Sequence, residues 1–442
     1  MRFAIVVVAH SAYLSLLPEA VGSIDSQSIP FDEKVLVTDG CNAPDWLQGW
    51  KTIRVDAGNP NPCRNAGLDS VTSDWVVFFD ADNIMHQDYS RVIRNKARYV
   101  DDGVAMLYPN LYYFGSTEKM VPAPDWDEDS VVERNIYDTS SAWRRSALNS
   151  DRWADDSLCH DDWGLALRLM RRGWRGERLM THVNMRDHSF GGSRRSVSGW
   201  RNEDGKRAEM LWRIRTLGVC VLISRPANID KVFDQLEWLE LPDQKSLYIL
   251  DNTGDAQAFD AINERARRLI GWDSVTLTRS GKPTDEIRHI EEKHQARLEN
   301  IAQLTQKLWS RVTEDLLLSI DDDCFARNAD AVRKLHYHLR PKHASVAGAA
   351  YMSKRSLGNL VATYGKDSYG RPIAGDFNKV DEVGGVGAGF TLYLRPDLKW
   401  AYPIRRFSKN GNEAGHDYNI CYLLRKRGKK VILDGTVEVE HE

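Results

Sequence analysis

The sequence predicts an α/β protein built as two tandem Rossmann-like domains, each around a mostly parallel sheet. Three observations predict this. Apolar runs of strand length alternate with helix-like stretches. The same order of runs recurs in the second half of the chain, and internal repetition of this kind outranks local patterns. In both halves the third run ends in paired aspartates, Asp80-Ala81-Asp82 and Asp321-Asp322-Asp323.

The totals suit that class. The chain has 442 residues, long enough for two or three domains. A hydrophobic fraction of 42% with 14 Trp supplies real cores, and a net charge of −3 allows a local anion site without implying a general polyanion-binding surface. Cys41, Cys63, Cys159, Cys220, Cys324 and Cys421 form no CxxC pair, which argues against a zinc knuckle or a disulfide framework. Reduced, intracellular thiols are the simpler reading. The run Phe3 to Ala9 is short for a signal segment, and nothing approaches the roughly 20 apolar residues of a membrane span. The expectation is a cytoplasmic protein without a transmembrane segment, with peripheral membrane association left open.

The elements follow in order. Phe3 to Ala9 reads as a strand buried on both faces. Val35 to Val37 leads to Asp39, and Trp75 to Phe79 leads to Asp80. In the second half Val219 to Ile223, Leu247 to Leu250 (ending at Asp251) and Leu316 to Ile320 (ending at Asp321) repeat the series. Each half continues to an aspartate opening a helix, in HDDWGLALRLMRRGWR and HDYNICYLLRKRGKK. Asp162 lies 11 residues before Gly173, and Asp417 lies 11 before Gly428. Each half then closes on a histidine, His188 and His441. We expect an N-terminal domain over 1–199, a connecting helix over 200–217 and a divergent C-terminal domain over 218–442. The apolar spacing from Ile287 to Val312 marks an inserted amphipathic helix in the second domain.

Residues two apart in a strand point to one side, so Asp80 with Asp82, and Asp321 with Asp323, present paired carboxylates at the carboxyl edge of a sheet. Oxygen ligands of this kind suit Mg²⁺ or Mn²⁺ with phosphate oxygens. The competing reading is a turn or helix cap. Asp162 and Asp417 read both as helix caps and as candidate bases, with Asp161 and His416 as second choices. His188 and His441 read as packing residues or as metal or phosphate contacts. Asp39 and Asp251 end the second strands as turn formers or as partners of a nucleoside. Arg64 and Asn65 either touch a diphosphate or open a helix after Pro62. Gly384, Gly385, Gly387 and Gly389 suggest an acceptor-side loop and lack the context of a dinucleotide fingerprint.

These residues carry a resemblance. FAIVVVAH, VTDG, PCRNAGL, FFDADN and DDWGLALRLMRRGW make residues 1–192 similar to the inverting family 2 glycosyltransferases of the GT-A fold. LYILDN, LLLSIDDD, GGVGAGF and HDYNICYLLRKRG make 218–442 look like a more divergent copy. The resemblance implies two nucleotide-diphospho-sugar transferase domains that use Mn²⁺ or Mg²⁺. It implies donor binding by Asp39, Arg64, Asn65, Asp80, Asp251 and Asp321, and metal contacts from Asp82, His188, Asp323 and His441. Asp162 and Asp417 would be the bases. Two departures stand out: Asp161 replaces the family's usual Glu, and the second half offers only QARLEN, with Arg297, for PCRNAGL.

The implied activity is metal-dependent, inverting transfer from a UDP- or GDP-linked donor to an acceptor hydroxyl, with the two sites serving different donors or acceptors. The alternative is one catalytic domain plus a non-catalytic acceptor-binding or structural one. A sugar nucleotidyltransferase is disfavoured because AHSAYLSLLPEA replaces its Gly/Arg-rich loop, and a purely binding role is disfavoured by two retained acid–histidine sets. Glycan, protein, lipid-linked sugar and modified nucleic acid all remain open as acceptors, and the aromatic stretch from Tyr108 to Trp126 with Trp143 offers stacking surfaces.

Overall fold

The computed structural model describes residues 1–154, 161–187, 203–280, 291–351, 359–364, 372–374, 379–405, 407–409 and 412–441. They fall into two compact units, Met1–Arg207 and Ala208–Glu442.

The first unit contains β1 (Phe3–His10), β2 (Glu33–Asp39), β3 (Lys51–Val55), β4 (Trp75–Asp80), β5 (Ile84–Met85), β6 (Val104–Gly115), β7 (Lys119–Val121), β8 (Ala142–Arg144) and β9 (Arg175–Asp187). They form one sheet in the order β3-β2-β1-β4-β8-β6-β9-β5, with β7 on β6. The β3 to β4 half is parallel, β8 runs antiparallel to both β4 and β6, and β9 is parallel to β6. The sheet is thus mixed, with its parallel half carrying the three runs seen in the sequence.

Strand alternation explains how β1 is buried on both faces. Phe3, Ile5, Val7 and Ala9 pack with helices Leu17–Asp25 and Tyr89–Ala97. Val6 on the other face meets helix Pro60–Asp69, where a Cβ on Gly67 would sit 2.2 Å from a Val6 methyl. Each such buried aliphatic contributes roughly 1.5–3 kcal/mol.

The second unit contains β10 (Leu217–Ile223), β11 (Lys245–Asp251), β12 (Ser274–Arg279), β13 (Leu316–Asp321), β14 (Cys324–Ala326), β15 (Ala344–Ala350), β16 (Asn359–Tyr364), β17 (Pro372–Ala374), β18 (Val380–Val383), β19 (Phe390–Leu394), β20 (Phe407–Lys409), β21 (Asn412–Ala414) and β22 (Lys430–His441). Its main sheet runs β12-β11-β10-β13-β19-β15-β22-β14, with β18 on β22. Strand for strand this is the order of the first unit, and every shared pairing has the same direction. Hairpins β16–β17 and β20–β21 are the second unit's own.

Helix Glu203–Ile214 lies inside the expected connecting segment, but the division between units falls within it, at 207/208. Trp212, from the second part of the helix, belongs to the core of the second unit. The inserted helix spans Glu291–Trp309 and buries Ala302, Leu304, Leu308 and Trp309 against Cys220, Tyr248 and Leu317. Ile287 and Ile290, expected in it, lie outside the described residues.

Candidate active sites

In the first unit the parallel strands deliver their carboxyl ends to one edge. Asp80, the last residue of β4, stands beside Val8 of β1, and Asp39 beside His10. Arg64 comes up from helix Pro60–Asp69, with Nη2 3.3 Å from Asp80 and Nη1 3.8 Å from Asp161. Its guanidinium lies 4.8 Å over Trp153, and Asn61 accepts from it at 2.8 Å. Asp162 is the second residue of helix Asp161–Arg171. Both its oxygens accept from Asn135 Nδ2 at 3.2 Å, and Oδ1 accepts from the Trp163 amide at 2.9 Å.

A fourth acid, Asp138, completes the group. It is held by the amide and hydroxyl of Ser140 at 2.9 and 2.7 Å. Burial first, and then the charges of Asp82 and Asp138, push the Asp80 carboxyl up to about 6 against the pull of Arg64. Burial raises Asp162 to about 6 as well, opposed by Asn135 and the Trp163 amide. Asp138 is also raised, by burial and then by Asp162. The charge of Arg64 opposes the rise of Asp80, Asp138 and Asp162, so one arginine stands among several carboxylates. That excess of negative charge, carried on oxygen donors, fits a hard divalent cation at Asp80 and Asp82.

The other expected residues take mixed positions. One oxygen of Asp39 accepts from the amides of Ala57 and Gly58, so it shapes the turn before helix Pro60–Asp69. Asn65 donates to the Trp153 carbonyl, a scaffold contact. Trp143 and Tyr108 are fully buried and belong to the core. His188 lies outside the described residues.

The second unit repeats the placement. Asp321 stands beside Leu222 of β10 as Asp80 does beside Val8. Asp417 is the second residue of helix His416–Arg425, and its oxygen accepts from the Tyr418 amide at 3.0 Å. The Asp321 side chain is exposed at the strand end, and desolvation by the surrounding protein first, then Asp323, Asp322 and Asp417, raise its carboxyl above the ordinary aspartate value. Burial also raises Asp417. His441, at the end of β22, brings Nε2 within 3.4 Å of Asp323. Gly389 accepts from the Asp321 amide through its carbonyl, at 2.8 Å.

Two expectations do not carry over. Asp251 pairs with Ile223, which lies as far along β10 as Ala9 does along β1, and Ala9 pairs with Thr38. Asp251 therefore takes the place of Thr38, and Asn252 that of Asp39. Because strand side chains alternate, the one-residue slip turns Asp251 to the other face. There it is fully buried and ion-paired at 3.3 Å with Arg279, which covers Phe259 on helix Ala256–Arg268. Asp251 is thus not brought to the edge where Asp321 and Asp417 meet. At the place of Arg64 stands Thr305 rather than an arginine. Thr305 meets His416 at 3.2 Å where Arg64 meets Asp161 in the first unit. The cation comes instead from the loop after β10, where Arg225 pairs with Asp322 and, at 2.9 Å, with Asp323.

Sequence reasoning missed Asn135, Asp138, Arg225 and Cys324. Asn135 and Asp138 sit in a loop without periodicity, so no pattern marked them. Cys324 did offer a signal, since it directly follows the three aspartates.

Residues 4–144 match the glycosyl transferase family 2 model. That stretch of the first unit is similar to family 2 glycosyl transferases over about a third of the chain. Glycosyl transfer is the reaction class of that family, and the second unit repeats the sheet topology of the first. A search of curated proteins gives no match. Among solved structures, S. aureus TarS 1–349 in complex with UDP-GlcNAc is similar at TM-score 0.38 and 14% identity, over 76% of this chain and 87% of that one. The same TarS region in complex with UDP is similar at TM-score 0.35 and 17% identity, over 48% and 71%. Mannosyltransferase PcManGT from Pyrobaculum calidifontis, in complex with GDP-Man and Mn²⁺, is similar at TM-score 0.35 and 17% identity, over 48% and 61%.

Proposed function

We propose that the chain transfers sugars from nucleotide-diphosphate donors, UDP- or GDP-linked, to acceptor hydroxyls with inversion, using Mn²⁺ or Mg²⁺ and two active sites. One observation carries the reading: a strand-end aspartate pair and a helix-opening aspartate occupy matching positions on the same carboxyl edge of two sheets with the same strand order.

In the first site Asp80 and Asp82 hold the metal and donor diphosphate, and Arg64 adds a fixed positive charge beside them. When bound, the metal supplies Lewis-acid stabilisation of the departing diphosphate. Asp162 takes the proton of the acceptor hydroxyl as that oxygen bonds to the anomeric carbon and the bond to the diphosphate oxygen breaks. A single displacement inverts the carbon. A carboxyl raised to about 6 is well matched to this work near neutral pH, because it is ionised yet more basic than an ordinary aspartate. In the second site Asp321, Asp323 and His441 play the binding part and Asp417 the base.

A second reading, with only the first unit catalytic, draws on the replacement of the Arg64–Asp161 contact by Thr305–His416 and on the turning away of Asp251. Calorimetry with UDP and GDP, with and without Mn²⁺, tests the first site. Binding should require metal and weaken at least tenfold in Asp82→Ala. Metal-independent binding, unchanged by that substitution, contradicts the proposal.

A further inference from the structure

We infer that Asp323, Cys324 and His441 form a transition-metal site in the second unit that prefers a thiophilic ion such as Zn²⁺ to Mg²⁺. The inference rests on the reading of the second unit as metal-dependent and adds the class of metal to it.

The antiparallel pairing of β14 with β22 sets Cys324 directly opposite His441. One ligand atom from each of Asp323, Cys324 and His441 lies within 4.8 Å of the others. The imidazole Nε2 is 3.4 Å from Asp323 Oδ2, and the Cys324 thiol is 3.9 Å from Oδ1. Tetrahedral zinc bound by S, N and O holds its ligand atoms roughly 3.3–3.6 Å apart, as the metal–ligand distances require. The three groups stand near one another at spacings somewhat wider than that, so binding would draw them in by about an ångström. The fourth vertex is left for a water or a phosphate oxygen, as in catalytic zinc sites.

The surroundings are shaped around the thiol. A Cβ on Gly389 would fall 2.7 Å from Cys324 Sγ and 2.7 Å from the Tyr351 hydroxyl, so this glycine lets the backbone before β19 pass over the sulfur. The Tyr351 ring packs edge-on against His441 at 5.4 Å. This is one member of the glycine-rich stretch that the sequence set apart.

The donor atoms decide the metal class. Mg²⁺ binding draws on carboxylate charge and retained waters. Among the three ligands only Asp323 is a carboxylate, and it is already paired with Arg225 at 2.9 Å. Imidazole and thiolate donors have to supply the affinity, and those donors select zinc-like ions. Binding releases the thiol proton to solvent. In the first unit the residue after Asp82 is Asn83, whose oxygen accepts from the Arg186 amide, so that position offers no sulfur.

The test is a Co²⁺ titration of the full-length chain after metal stripping by chelation and dialysis. The expected result is a near-ultraviolet thiolate-to-cobalt absorption that saturates at one ion per chain. Zn²⁺ should displace it, and a large excess of Mg²⁺ should not. It should vanish in Cys324→Ser, weaken at least tenfold in His441→Gln and persist in Asp82→Ala, with folding checked by circular dichroism. X-ray absorption on the zinc-loaded wild type counts a sulfur ligand without any variant. A shell of nitrogen and oxygen only, or an absorption unchanged by Cys324→Ser, overturns the inference. If Mn²⁺ still binds through Asp323 in that case, the metal reading of the second site survives. If no divalent ion binds there, both fall.

Discussion

Asp162 shows how one residue serves structure and chemistry together. It sits at the head of its helix, where a negative charge is favoured by the dipole, and its carboxylate is gripped by Asn135. Asp162→Asn should lower transfer by about 10²–10⁴-fold, the usual worth of a general base, while donor affinity measured by calorimetry stays within a few-fold. If Asp161→Asn abolishes transfer and Asp162→Asn does not, the base has been assigned to the wrong neighbour. The pH dependence follows in sign. The base works ionised, so kcat/KM should rise with pH through about 6 and fall on the acid side. Removing the amide donor in Asn135→Ala destabilises the carboxylate form, so this limb should move to higher pH. A limb that stays in place would mean that Asn135 only fills space. Asp162 was legible because it precedes an amphipathic run. Asn135 was not, because its contact spans a loop of unrelated sequence.

At the level of elements, the spacing of 11 residues from aspartate to glycine has a plain cause. Both helices end on a glycine with positive φ, 86° at Gly173 and 79° at Gly428. In both, the amide after that glycine reaches back to the last turn, Trp174 to Leu169 and Lys429 to Leu424. The sequence displayed the helix length and its cap directly. It displayed the strands as well, since their apolar runs are continuous. It did not display register, and Asp251 failed for that reason: a strand-end aspartate looks the same whichever face it takes. Gly67 offers a test at this scale. Gly67→Ala places a Cβ 2.2 Å from a Val6 methyl, so helix Pro60–Asp69 must shift with Arg64 aboard. We expect a loss of about 1–3 kcal/mol in thermal or denaturant unfolding, typical of overpacking, with weaker nucleotide binding alongside. Val6→Ala in the same chain should restore part of both. An unchanged melting temperature would contradict this packing.

The whole molecule has the form of a duplication followed by divergence. Two sheets keep one strand order, and two edges keep their acids. Around those acids the cations differ, Arg64 in one unit and Arg225 in the other. Pockets with different charge layouts suit different donors or acceptors. The most direct measurement compares three proteins against a panel of nucleotide sugars and acceptors: the wild type, Asp80→Ala with Asp82→Ala, and Asp321→Ala with Asp323→Ala. Products are read by mass spectrometry. Each double variant should lose one transfer and keep the other, leaving two different truncated products. A wild-type product pattern from the Asp80/Asp82 variant would contradict a transferase site in the first unit, and a wild-type pattern from the Asp321/Asp323 variant would leave the second unit without a catalytic part.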